Sequence, residues 1–133
     1  MKLDHIALWT KQIEVMVDFY EKYFDGKADE MYVDEEENIS CCYIIFTEGS
    51  KLELIQGPDI YEREHKITDR VLGYTHLAFD VGSKEKVDEI TEKIEKDGYQ
   101  VEKRPAFIVE WFYESAIIDP EGNIIEINCE LRE

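Results

Sequence analysis

Apolar and polar positions along the chain change period in a regular order, and the same order occurs twice. Residues 3–9, LDHIALW, and residues 74–80, YTHLAFD, each carry a histidine followed by apolar residues in a strand pattern. Each leads into a helical period. In TKQIEVMVDFYEKYFDG, Ile13, Met16, Val17, Tyr20 and Phe24 fall on one face, with Thr10 expected to cap the helix and Gly26 to stop it. In GSKEKVDEITEKIEKDGY the stripe is Val87, Ile90 and Ile94, with Ser83 as cap and Gly98 as stop.

Three strand-like runs follow each helix. In the first half they span about 28–34, 39–47 and 51–56, with EGS (48–50) as a hairpin turn. In the second half they span about 99–104, 111–118 and 123–130, with DPEGN (119–123) as a strong turn. Each half therefore reads strand–helix–strand–strand–strand: module one over about 1–56, a charged connection over 57–71, and module two over about 72–133. The length of 133 residues suits one domain built from the two repeats.

The repeat gives meaning to a position that alternation alone would leave ordinary. Glu53 lies between Leu52 and Leu54, and Glu126 lies between Ile125 and Ile127, each in the last strand of its half. An ionised carboxylate buried without a partner costs several kcal/mol or takes up a proton. The two histidines, His5 and His76, stand 71 positions apart, and the two glutamates 73 apart. Two imidazoles and two carboxylates form a mixed nitrogen and oxygen set suited to a divalent transition ion. An octahedral ion would keep two positions for water or substrate. Calcium favours oxygen throughout and fits less well. His65 has no counterpart in the repeat and is read as an ordinary surface residue.

Composition narrows the partners. A net charge of −17 opposes binding to nucleic acid and to anionic membrane surfaces. No apolar run approaches the length of a membrane span, and a soluble cytoplasmic protein is the expectation. Cys41, Cys42 and Cys129 form no disulfide framework and no Cys-x-x-Cys motif, so they read as reduced strand residues.

LDHIAL with VDFYEKYF, then LELI, THLAFDV and DPEGNIIEI, resemble the vicinal oxygen chelate superfamily, which includes glyoxalase I, bleomycin-resistance proteins, extradiol dioxygenases and methylmalonyl-CoA epimerase. The resemblance implies an α+β fold of two βαβββ modules, forming a curved mixed sheet around a metal-containing cavity, in a homodimer. It places His5, Glu53, His76 and Glu126 on the four metal positions, for one divalent metal per subunit, nickel or cobalt ahead of zinc, manganese or iron. Glutamate at the second position is most similar to glyoxalase I, a lyase that moves a proton between adjacent carbons through an enediolate. Glu126 is then the first choice for base, with Glu53 as its partner. An arginine that helps bind glutathione in the short bacterial enzymes lies four residues after the first histidine; here that residue is Trp9. Trp9 shares strand parity with His5 and, with Trp111 or Tyr113, is expected to give the small-molecule site an aromatic wall. The alternatives are a ligand-sequestering protein of the bleomycin-resistance type and an epimerase or thiol transferase of the same superfamily.

Overall fold

A computed structural model describes residues 1–132, and the chain divides into two compact units, Met1–Arg63 and a second beginning at Glu64. Each unit holds one open mixed sheet and one helix. In the first unit the elements are β1 (His5–Trp9), α1 (Ile13–Phe24), β2 (Lys27–Ala28), β3 (Tyr32–Asp34), β4 (Ile39–Ile45) and β5 (Lys51–Gln56). In the second they are β6 (His76–Asp80), α2 (Lys84–Lys96), β7 (Val101–Val109), β8 (Phe112–Ile118) and β9 (Ile124–Glu130). The first strand of each unit pairs parallel with the last, β1 with β5 and β6 with β9, while the hairpin partners run antiparallel. This α+β arrangement of two mixed sheets matches the expected fold class.

Alternation sorts the first sheet into two faces. Leu52, Leu54, Cys42 and Ile44 point toward α1, whose Met16, Phe19 and Tyr20 are buried. Each such aliphatic side chain contributes about 2 kcal/mol by leaving water. In the second unit Val87, Thr91 and Ile94 of α2 cover Ser115, Ile117, Ile125 and Ile127. Thr91 and Ser115 are joined by a 2.6 Å hydroxyl–hydroxyl bond, so neither is buried unsatisfied. The other face of each sheet has no helix of its own unit upon it. That face carries the predicted chemistry.

Four local expectations change. Thr10 does not cap α1: it is fully buried, and its Oγ1 accepts from the Gln12 N–H at 3.0 Å in a turn preceding the helix. Gln12 occupies the cap position, and the first helical N–H, of Ile13, donates instead to Gln56 Oε1 at 2.9 Å. The helix ends on Asp25 in the left-handed region (φ 54°), not on Gly26. Gly26 is needed for a different reason, because a Cβ there would lie 2.5 Å from Ile44 Cγ2.

The run at 28–34 is interrupted. Ala28 opposes Ile44 while Tyr32 opposes Cys41, so this edge takes one extra residue relative to β4, as a bulge does. The run expected at 99–104 continues to Val109 through Pro105. Proline is tolerated there because β7 is an edge strand and Pro105 falls at a register shift between Lys103 and Ala106.

Candidate functional site

The open face of the first sheet brings His5 and Glu53 together. In the parallel register Ala7 lies beside Glu53 and His5 beside Lys51, so both side chains leave the same face. His5 Nε2 stands 3.6 Å from Glu53 Oε1, with side chains 32% and 16% exposed. The other ring nitrogen, Nδ1, is 2.7 Å from Asp4 Oδ2, and Lys51 Nζ donates to Asp4 Oδ1 at 3.1 Å. A carboxylate only accepts, so the Nδ1 that meets Asp4 donates, and Nε2 is the ring nitrogen turned toward Glu53. The hydrogen bond from His5, then that from Lys51, holds the Asp4 carboxyl below the usual range.

Tyr43 lies directly across from Glu53 on β4, with its ring edge-on to His5 at 5.1 Å between centroids. Desolvation, then its hydrogen bond to Glu53, pushes the Tyr43 phenol up. Cys41 shares this face, and its thiol is raised by desolvation and then by the Glu53 charge, which leaves it a poor nucleophile.

The second sheet repeats the pair. Ala78 lies beside Glu126, and His76 Nε2 is 3.1 Å from Glu126 Oε1, with side chains 33% and 21% exposed. The DPEGN turn delivers β9 in this register. Asp119, nearly buried, accepts from the Glu121 and Asn123 N–H groups and from Asn123 Nδ2, each at 2.9 Å, and Gly122 takes a positive φ of 83°. The neighbours differ from those of the first pair. Ala116 stands across from Glu126, and buried Glu114, on the same face of β8, is ion-paired with Lys103 Nζ at 2.7 Å. Burial first, then the Glu114 charge, raises the Glu126 carboxyl, while His76 and Lys103 oppose the shift.

The predicted aromatic wall is only partly present. Trp9 is on the His5 face and well exposed. Trp111 sits in the turn between β7 and β8, with the Arg132 guanidinium 3.5 Å from its ring centroid. Tyr113 does not join Glu126. It opposes Cys129 on the helix-facing side, and its hydroxyl donates to Asp88 of α2 at 2.6 Å, a bond that pushes its pKa up to about 12. Once β8 and β9 are in register, Tyr113 and Glu126 have opposite parity, which excludes a shared face.

Sequence reasoning missed Asp4, Tyr43, Lys51, Lys103 and Glu114. The signal for Tyr43 was the short hairpin: a turn at Phe46–Gly49 pairs Ile45 with Lys51 and so sets Tyr43 against Glu53.

Each pair suits a divalent cation. With metal–nitrogen and metal–oxygen bonds of about 2.1 Å, adjacent donors stand about 3.0 Å apart at a right angle and about 3.4 Å apart at a tetrahedral one. The observed 3.1 Å of the second pair lies within that range, and the 3.6 Å of the first is slightly wider. Among the described residues no group of three or more His, Cys, Asp or Glu side chains is placed to hold a metal, so each pair offers two donors.

The sequence profile described as the glyoxalase/bleomycin resistance protein/dioxygenase superfamily matches residues 2–127. No curated protein sequence matches the chain. Among solved structures, a glyoxalase family protein from Bacillus cereus is similar with a TM-score of 0.84 at 17% identity, over 99% of this chain and 95% of that one. Glyoxalase I of Leishmania major, described as trypanothione-dependent, gives 0.78 at 17% identity, over 98% and 87%. The fosfomycin resistance protein FosX of Listeria monocytogenes, in complex with Mn(II) and sulfate, gives 0.70 at 19% identity, over 96% and 91%. At these identities the likeness is one of fold.

Proposed function

The chain belongs to the glyoxalase/bleomycin resistance protein/dioxygenase superfamily, and on that premise we propose that it is a metal-dependent enzyme of the glyoxalase I type. It acts as a lyase or isomerase, moving a proton between adjacent carbons of a small carbonyl or thiohemiacetal substrate. One observation carries the reading. The same imidazole–carboxylate pair occurs on the open face of both sheets, at separations suited to one cation.

His5 and Glu53 supply two donors and His76 and Glu126 two more, for one divalent metal per subunit, nickel or cobalt ahead of zinc, manganese or iron. The bound ion supplies Lewis-acid polarisation of a substrate oxygen. Glu126 takes the proton from one carbon and returns it to the next, and Glu53 is its partner. Partial burial beside Glu114 favours basicity in Glu126. Trp9 and Trp111 offer apolar surface to the body of the substrate. A homodimer is the proposed assembly. Among the described residues no helix is long and apolar enough to cross a membrane.

Elemental analysis of the purified protein is expected to give about one divalent ion per chain, with the His76→Ala variant depleted. Methylglyoxal with a panel of thiols is then expected to yield turnover with solvent deuterium entering the product. Metal content unchanged in His76→Ala overturns the ligand assignment. A net charge of −17 favours a second reading, a protein that sequesters a cationic ligand without turnover. Ligand binding in protein stripped of metal, with no turnover of any thiol adduct, is its signature.

A further inference from the structure

The two pairs have the same ligand types but different supports. His5 is held on both sides: Asp4 accepts from Nδ1 at 2.7 Å, Lys51 braces Asp4 at 3.1 Å, and Tyr43 packs edge-on against the imidazole while standing across from Glu53. Lys51 Nζ also lies 5.5 Å from the Tyr43 ring centroid, so the four side chains close a ring of contacts. In the repeat, the residue before the histidine is Thr75, without a carboxylate, and the residue across from the glutamate is Ala116.

We infer that Asp4, braced by Lys51 and assisted by Tyr43, is a positioning residue that presents His5, beside Glu53, to a metal ion. A histidine ligand whose remote nitrogen donates to a carboxylate has its tautomer and ring orientation set before metal arrives. In the first pair Nε2 is turned toward the Glu53 carboxylate across 3.6 Å. In the second, His76 Nε2 and Glu126 Oε1 stand 3.1 Å apart, and no carboxylate immediately precedes that histidine in the sequence. Asp4 is exposed, and among the described residues it pairs with His5 and Lys51. Its removal therefore leaves the fold intact and isolates the positioning effect.

This inference rests on the proposed metal site, and two measurements separate their failures. In metal-free protein, ¹⁵N-resolved NMR of His5 is expected to show the proton on Nδ1, and Asp4→Ala to shift it toward Nε2. In Co(II) titrations Asp4→Ala is expected to bind about 10–100-fold more weakly with an unchanged melting temperature. Lys51→Met and Tyr43→Phe lose less, and Thr75→Ala loses nothing. Wild-type Co(II) affinity in Asp4→Ala, or an equal loss in Thr75→Ala, overturns the inference and leaves the proposed function standing. If wild-type protein binds no Co(II) while Nδ1 of His5 remains the protonated nitrogen, the proposed metal site falls instead.

Discussion

The open face of the first sheet and that of the second were built to the same plan and have diverged around it. Both carry a histidine at the start of the first strand and a glutamate in the last. Around the first pair stand an aromatic ring and a carboxylate–lysine brace, and His5 Nε2 stands 3.6 Å from Glu53. Around the second stand a small alanine and a buried carboxylate, and the donors touch. The lesson is that a repeat can keep the same side chains while changing what each is free to do. A glutamate gripped by a tyrosine is suited to hold; one facing alanine, with burial and a like charge raising its basicity, is suited to move a proton.

The sharpest way to break that comparison is to neutralise each glutamate in turn. Glu126→Gln is expected to lower turnover by about 10²–10⁴-fold while retaining much of the metal. Glu53→Gln is expected to show first as lost metal affinity. Solvent deuterium exchange at the substrate carbon distinguishes the two, and unimpaired exchange in Glu126→Gln reverses the roles.

A second contrast concerns the helix ends, where two glycines that look alike in sequence serve different physics. Gly26→Ala forces a methyl group against Ile44 and is expected to destabilise by about 1–3 kcal/mol. Gly98 meets no atom within 4 Å of an added Cβ but has φ of 100°, so Gly98→Ala is expected to cost about 1 kcal/mol from backbone strain alone. Chemical denaturation measures both. Equal losses that repacking at Ile44 relieves in both variants count against the distinction.

The smallest effect is on pH. The carboxyl of Glu126 titrates higher in the fold than in the unfolded chain. Its stabilising contribution is therefore complete below the unfolded pKa and is lost as pH rises through the folded one. In metal-free protein Glu126→Gln is expected to raise the melting temperature slightly at pH 7, with the gain vanishing near about pH 4. A gain that persists at low pH assigns the effect to packing rather than ionisation.

Much of this was legible along the chain. The helical stripes, the cap at Ser83, the DPEGN turn and the placement of His5, Glu53, His76 and Glu126 on strands follow from periods of 3.6 and 2 and from turn chemistry. Those are properties of neighbouring residues and need no knowledge of what packs against them. What lay outside that reach depends on which residues face each other across a sheet. The register of β4 on β5 set Tyr43 against Glu53, and that of β8 on β9 put Glu114 on the face of Glu126 and turned Tyr113 toward Asp88. The edge position of β7 let the strand run through Pro105, and a distant glutamine, Gln56, took over the capping that Thr10 had promised. Sequence determined the donors because their type and spacing are local. Only the tertiary structure decided their surroundings, because a one-residue slip between strands exchanges every neighbour a side chain has.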